Sequence, residues 1–488
     1  MSEQDLINSR INKLNRIKEA GINPYPYKFK QTHFSKNIIE DYKTIKFGEF
    51  SEHTVSIAGR IMSMRNLGKI AFTHIRDEVG DIQVMFKKDI LKEKYKLLKM
   101  LDIGDIIGTE GKVSKTKTGE TTIFADDLVI LTKTTKPLPE KYHGLKDVET
   151  KYRHRELDLI MNLKSRDVFR KRSMIISEIR KYMEEKGFIE VENPILEPVY
   201  GGASARPFIT HHNALNQKLY LKISPELYLK RLIIGGLGRV YEITKCFRNE
   251  GIDRHHNPEF TMIEWYIAYM DYNDMMNMVE ELIKRATMKI NKNLIIRFEE
   301  KDIDLGKKWK RISMIDSIKE YAGININDMT DQQMIDFLKK KRIELHGNIT
   351  RGMLIGTMFE ELVEEKLIQP TFITDYPKEI SPLTKKNRNN DKLTERFELF
   401  INGMEFSNAY SELNDPIDQR ERFEAQEKDR KQGNEEAPPK DMDFLDAMEY
   451  GMPPTGGVGV GIDRLVMLIT GQNSIRDVIL FPTLRNDE

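Results

Sequence analysis

One cysteine, Cys246, occurs in 488 residues. That excludes a disulfide framework within the chain and any site built on paired cysteines. Long apolar runs are also missing, and nothing approaches the roughly 20 residues that a membrane-spanning helix needs. The opening segment, MSEQDLINSRINKLNRIKEAGINPYPY, carries charges throughout and lacks the apolar stretch of a secretory leader. These absences predict a cytoplasmic protein with no membrane partner. A net charge of +1 gives the whole molecule no nucleic-acid signature. The P-loop pattern GxxxxGK[ST] does not occur, and the dinucleotide fingerprint fails because Ile462 stands where its third glycine should be. The adjacent pairs His211-His212 and His255-His256 lack the helical spacing of metal ligands. A nucleotide site in this chain must have another design.

What is present is a globular composition, 39% hydrophobic and 32% charged, in a chain too long for one ordinary core. The first 150 residues hold a slight excess of Lys and Arg, the remainder a slight excess of Asp and Glu. Leu6, Ile7, Ile11, Leu14 and Ile17 form an apolar stripe at helical spacing over 4–20, closed by Gly21 and Pro24. Five short strand-like runs follow, among them VSIAGRIMSMR, DIQVMFKK and ETTIFADDLVILT, with a helical interruption near Leu91–Leu101. They suit a small five-stranded barrel of oligonucleotide-binding (OB) type, although a generic small β-domain has the same periodicity. Thr132 to Arg155 lacks periodicity and reads as a linker. The expected domains are therefore 1–145, a helix plus barrel, and 146–488. The second alternates strands and helices without a βαβ repeat, which predicts an α+β fold with an antiparallel sheet flanked by helices. Within it, Val168 to Lys186 reads as a helix, FIEVENPIL as a strand, and 312–366 as a helical insertion.

Three segments of the second domain carry chemistry. In VYEITKCFRNEGIDRHHNPEFTMIEWYIAY, strand alternation puts Glu242, Thr244, Cys246 and Arg248 on one face, and Phe260, Met262, Glu264 and Tyr266 on another. Arginine grips phosphate through a planar fork of donors, and phenylalanine offers a flat surface to a purine. A solvated hairpin would account for the intervening loop but not for this mixed face. In PPTGGVGVGIDRLVMLITG, Gly457, Gly459 and Gly461 leave one strand face bare. Arg464 follows at a helix start, where a positive charge beside free N–H groups suits a phosphate. In TERFELFINGMEFSNAYSELND, Asn402-Gly403 predicts a two-residue hairpin turn. That pairing sets Leu399 opposite Phe406 and Glu398 opposite Ser407, with Glu398 and Glu405 as diagonal neighbours on one face. Two such carboxylates can converge on a hard cation such as magnesium. Strand parity leaves Glu412 off that face.

These segments together resemble the class II aminoacyl-tRNA synthetases, in the form used by the lysine-specific branch. FRNEGIDRHHNPEFTMIEWY is similar to their motif 2, the glycine strand with Arg464 to motif 3, and FIEVENPILEP to motif 1. The resemblance implies that Arg248 holds the α-phosphate and that Arg464 helps offset the charge that develops on phosphate. Glu250, His256, Asn257, Phe260 and Glu398 would contact ATP. Glu398 and Glu405 would hold Mg2+. It further implies that Gly202 and Glu226 meet the α-ammonium of L-lysine. Arg248 would meet its carboxylate, and Glu264, Tyr266, Asn408 and Glu412 would complete the pocket. A cation that is buried must be paired, and these carboxylates suit two ammonium groups. Pro194 would lie at a homodimer interface. In the barrel, Phe72, Gln83 and Glu120 would read the anticodon of tRNA(Lys), by stacking and by polar contacts with base edges. The implied reaction forms lysyl-adenylate and then transfers the lysyl group to tRNA. Competing expectations are an aspartyl or asparaginyl enzyme of the same architecture, a relative that modifies elongation factor P, and a non-catalytic RNA-binding paralogue.

Overall fold

The computed structural model describes residues 2–485 except 140–147, 344, 346–348, 432 and 435. The chain divides into two compact units, 1–163 and 164–488.

The first unit opens with α1 (Glu3–Glu19). A capping box joins Ser2 and Asp5 at its start, and Gly21 follows its end at φ 72°. Five strands, β1 (Thr54–Asn66), β2 (Ile70–Arg76), β3 (Asp81–Lys87), β4 (Ile106–Lys115) and β5 (Thr121–Thr132), close a barrel in the order β1-β2-β3-β5-β4. Its interior is apolar: Ile57, Ile75, Val84, Phe86, Val113 and Ile123 are buried together. The stretch read as a linker lies partly outside the described residues. Its end is helical at Val148–Arg153 in place of the expected irregular chain, and a second helix, Arg155–Met161, follows. The first carries no apolar stripe for periodicity to register, because it has charges where apolar residues would stand. Arg155 is nevertheless buried, paired with Asp158 at 2.9 Å and stacked on the Tyr152 ring.

The second unit is built on one sheet. Its strands are β6 (Ile189–Glu190), β7 (Arg239–Phe247), β8 (Glu259–Ala268), β9 (Lys310–Ser313), β10 (Thr371–Pro377), β11 (Asn390–Ile401), β12 (Met404–Ser411) and β13 (Thr455–Gly461). The order is β9-β10-β11-β12-β13-β8-β7-β6, and a short strand, Lys386–Asn387, also pairs with β11. The six central strands are antiparallel, and the two edge pairs, β9/β10 and β7/β6, are parallel. The segment expected as one strand around Pro194 is only β6 and the separate Leu196–Glu197, because Pro194 interrupts it.

Side-chain alternation gives the sheet two unlike faces. Ile263, Trp265, Leu399, Ala409, Val458 and Val460 point to one side. There they pack on α2 (Leu163–Glu185), α4 (Tyr272–Asn291) and α5 (Ile462–Thr470). Roughly 1.5–3 kcal/mol accompanies each fully buried large apolar side chain, so this face anchors the unit. Helices Met314–Ala322, Asp331–Lys340 and Arg351–Leu362 form a separate apolar cluster against Ile373, Tyr376 and Phe400. The other sheet face is polar and is partly covered by α3 (Glu226–Ile234), whose Leu229 and Ile233 pack on Val240 and Tyr266. No helix among the described residues is long and apolar enough to cross a membrane.

Candidate active site

The polar face is ordered in rows by the strand register. One row crosses the sheet as Glu242, Glu264, Gly459, Asn408 and Glu398. The next reads Tyr266, Gly457, Tyr410 and Arg396. Each row has a glycine at its centre, so the floor is lowest there and side chains stand around it. A cavity of about 430 Å³ opens over this floor. Its lining includes Gly202, Glu226, Arg248, Glu250, His256, Asn257 and Phe260. Glu264, Tyr266, Glu398, Glu405, Asn408 and Arg464 complete the set expected from the sequence. Glu412 is not among the lining residues; it sits behind the Gly457–Tyr266 wall.

The hairpin explains how carboxylates from alternating positions reach one side. Asn402 and Gly403 turn at φ 53° and 70°, as the Asn-Gly signal predicts. The register beyond the turn differs from expectation. Phe400 pairs Glu405, but Leu399 then pairs Ser407 and Glu398 pairs Asn408. Phe406 is the extra residue of a β-bulge, which reverses strand parity beyond it. Glu405 thereby shares a face with Asn408, Tyr410 and, past the strand end, Glu412. A regular hairpin would have sent Glu412 to the core side. The bulge carries no side-chain pattern of its own, which is why sequence parity missed it.

At the end of the cavity bordered by Arg248 and Arg464, the Arg248 guanidinium lies 5.1 Å from the Phe260 ring centroid, and its Nε has no hydrogen-bond partner. Arg464 Nη1 donates to the Glu405 carbonyl at 2.7 Å, and Nη2 lies 3.1 Å from His256 Nε2. His256 Nδ1 lies 2.8 Å from Asp253. Donation from Arg464 therefore requires the proton on Nδ1, toward Asp253. Asn257 is turned to the backbone: its amide donates to the Glu259 carbonyl and accepts from Thr483 N–H. Asp463 fixes this corner by pairing Arg172 at 2.5 Å and accepting from Thr261 N–H at 2.6 Å.

Glu398 accepts from Tyr376 at 2.8 Å, from Arg396 at 2.5 Å and from Asn408 at 3.1 Å. Burial pushes its carboxyl up to about 7, with Arg396 opposing and Glu405 adding to the rise. Among the described residues no cluster of three or more metal-ligating side chains exists. The donor set of Glu398 and Glu405 is two hard oxygen ligands. It fits a cation that keeps waters and takes its remaining ligands from phosphate.

The other end of the cavity is a pocket of buried acids. Glu264 accepts from Ser224 at 2.8 Å and from the Tyr266 hydroxyl at 3.0 Å. Burial, with the Glu226 charge beside it, pushes its carboxyl up to about 8. Burial also raises Glu226 and lifts Glu412 to about 8, in both cases against the pull of Lys230. Gly202, at φ 83°, closes over this end; a Cβ there would stand 2.9 Å from both Glu226 Cβ and Ser224 Oγ. Ser224, Lys230, Arg396 and Tyr410 were not singled out in the sequence. Lys230 is one helical turn from Glu226, and Arg396 one alternation from Glu398, which were the signals available.

A model of the class II tRNA synthetases (D, K and N) matches residues 147–485. The chain belongs to this family. A model of the OB-fold nucleic acid binding domain matches residues 55–131. Full-length relatives are similar throughout. The chain is 50% identical over 483 residues to a lysine–tRNA ligase of Bacillus cytotoxicus, covering 98% of this chain and 97% of the relative. It is 52% identical to that of Clostridium novyi, covering 98% and 94%, and 50% identical to that of Bacillus subtilis, covering 99% and 97%. The synthetase model begins near the first described helix after the barrel and spans the whole sheet that carries the cavity.

In the OB barrel, the expected residues Phe72 and Gln83 share a face, since Phe72 pairs Met85 across β2 and β3. Gln83 donates to Glu120 at 2.7 Å and accepts from Thr122 at 2.8 Å. His74, absent from the sequence reading, lies on the same face and contacts Glu120 at 2.8 Å. Gln83 is thus spent on positioning Glu120, and Phe72 and Glu120 remain the accessible groups of the three.

Proposed function

We propose that this class II synthetase activates L-lysine with ATP and transfers the lysyl group to tRNA(Lys). The observation that carries the reading is the buried acids Glu226 and Glu264 lining the cavity beside Arg248 and Phe260, with Glu412 buried behind its Gly457–Tyr266 wall. Lysine brings two ammonium groups, and buried carboxylates are the partners such cations require. Aspartate or asparagine would instead face carboxylates where it needs donors. The names of the relatives point the same way.

In this reading adenine stacks on Phe260, and Arg248 and Arg464 flank the α-phosphate. Glu250, His256 and Asn257 border the ATP. Gly202 and Glu226 receive the α-ammonium, and Glu264, Tyr266, Asn408 and Glu412 surround the side chain. The lysine carboxylate attacks the α-phosphorus, pyrophosphate leaves, and the terminal ribose of tRNA then takes the lysyl group. No side chain becomes a covalent nucleophile; catalysis is positioning plus charge stabilisation. Mg2+, held by Glu398 and Glu405, would supply positive charge to the phosphates when bound. Phe72, Gln83 and Glu120 serve the anticodon. Exposed Ile189, Ile195 and Leu196 around Pro194 support a homodimer contact, in a cytoplasmic enzyme of protein synthesis.

The test is ATP–pyrophosphate exchange with lysine, aspartate and asparagine offered separately. Exchange with lysine alone is expected. Exchange with aspartate or asparagine would overturn the pocket assignment, and none with any of them would favour a non-catalytic RNA-binding role.

A further inference from the structure

Lys230 is fully buried, and its Nζ lies 2.5 Å from Glu226 Oε1 and 2.5 Å from Glu412 Oε2. The Tyr266 ring centroid is 6.0 Å away. These two carboxylates come from different elements, α3 and the end of β12. In the reading above they serve opposite ends of the substrate. Glu412 Oε1 is buried without a hydrogen-bond partner and faces Gly457, which stands between it and the cavity. We propose that Lys230 is a positioning residue of the lysine site, bridging Glu226 and Glu412 so that each presents its carboxylate to one ammonium of the substrate.

The inference rests on the lysine-pocket reading and deepens it. Three carboxylates, Glu226, Glu264 and Glu412, crowd this end of the cavity. Without an internal cation, burial and mutual repulsion would drive some of them to the neutral form. Of the other groups facing them, Arg248 pulls Glu264 toward its ionised form, and the rest are already engaged. Arg396 is spent on Glu398, Asn408 and the Ile380 carbonyl. Ser224 and Tyr266 bond Glu264, and Tyr410 stacks on Arg396. Lys230 is therefore the cation that directly offsets Glu226 and Glu412, while Arg248 acts on Glu264. Burial alone would lower its own ammonium, but Glu226 and Glu412 outweigh burial and hold it above the ordinary lysine range. It stays charged throughout the working pH range, a constant counter-ion.

The test is lysine-dependent exchange by the full-length enzyme across pH 6 to 9, comparing wild type with Lys230→Gln, Lys230→Arg, Glu412→Gln and the double variant Lys230→Gln/Glu412→Gln. Lys230→Gln is expected to raise the KM for lysine about tenfold at neutral pH, with partial recovery at high pH as the carboxylates ionise without help. The KM for ATP should hold. The double variant should lose less than the product of the two single losses, because Lys230 acts partly through Glu412 and partly through Glu226. Lys230→Arg, which keeps the charge, should retain the wild-type pH profile even if Lys230→Gln does not fold. A pH-independent loss in Lys230→Gln, or a displaced profile in Lys230→Arg, overturns the proposal. If Glu412→Gln leaves the lysine KM unchanged, the pocket reading itself fails. If Glu412→Gln raises it while Lys230→Gln changes nothing, only the role of Lys230 fails.

Discussion

Gly457 and Gly461 sit four residues apart on β13, and alanine at each should damage a different substrate. A Cβ at Gly457 would lie 2.1 Å from Glu412 Oε1, 2.3 Å from Tyr266 Cε1 and 2.6 Å from Tyr266 Cδ1. Carbon contacts settle near 3.5–4.0 Å, so both side chains must retreat by about 1 Å or more. Both are almost fully buried and cannot swing into solvent. The strain of such overpacking costs about 1–3 kcal/mol of stability. Losing one hydrogen bond between Glu412 and a bound ammonium costs a further ~1.5–3 kcal/mol of lysine affinity. That predicts a rise of about 10- to 150-fold in the KM for lysine, with the KM for ATP held within about twofold. At Gly461 a Cβ meets only Arg464 Cβ, at 4.0 Å. The fold tolerates it, but the methyl enters the bare floor beside Arg464, where ATP is expected to lie. Gly461→Ala should therefore raise the KM for ATP and spare that for lysine. Pyrophosphate exchange with each substrate varied in turn reads both constants. A folded Gly457→Ala enzyme with wild-type lysine KM would refute the placement of Glu412 and Tyr266 in the pocket. So would a pair of variants that raise the same constant.

Other consequences can be measured with the same protein. Glu264 and Glu412 have carboxyls raised to about 8 in the free enzyme, and a bound ammonium selects the ionised form. Lysine affinity should therefore increase as pH rises from 6 toward 8, by up to about tenfold per pH unit for each proton released, and then level off; calorimetric titration in buffers of different ionisation enthalpy would count those protons, and a flat profile would contradict the burial argument. Glu264→Gln keeps the Ser224 and Tyr266 contacts but removes the charge, so the lysine KM should rise by about 10- to 150-fold while ATP binding persists; equal loss of both would indicate a structural role. Asp463→Asn leaves Arg172 without its anion and should lower stability by roughly 3–5 kcal/mol, visible as an earlier urea midpoint; an unchanged midpoint would show that the pair is not stabilising. Phe72→Ala or Glu120→Ala should raise the KM for tRNA in charging assays and leave lysine-dependent exchange intact, and a matching loss of exchange would argue against a separate anticodon module.

Much of this was legible in linear sequence because the relevant signals are local. Alternation along Tyr241–Phe247 and Glu259–Ala268 separates a core face from a site face with no tertiary information. Asn402-Gly403 specifies its turn by backbone preference alone, and the residues around Arg248, the alternating glycines and Arg464 carry the family likeness in contiguous motifs. Where local signals stop, the reading went astray. The bulge at Phe406 left Glu412 on the wrong side, because parity propagates only through a regular ladder. The helix at Val148–Arg153 lies within the stretch that reads as linker, because its packing uses arginine and tyrosine rather than an apolar stripe.

The amino-acid sequence by itself determined the two-module plan, the strand alternation and the residue types proposed to meet ATP and lysine, since each depends on residue type and near neighbours. The tertiary structure decided which carboxylates converge. Glu226, Glu264 and Glu412 come from a helix, a strand and a strand end, and only the sheet register and the bulge bring them together. Lys230 acquires its place in the same way. Its charge is ordinary in sequence, and burial between two acids from separate elements makes it a fixed counter-ion rather than a surface lysine.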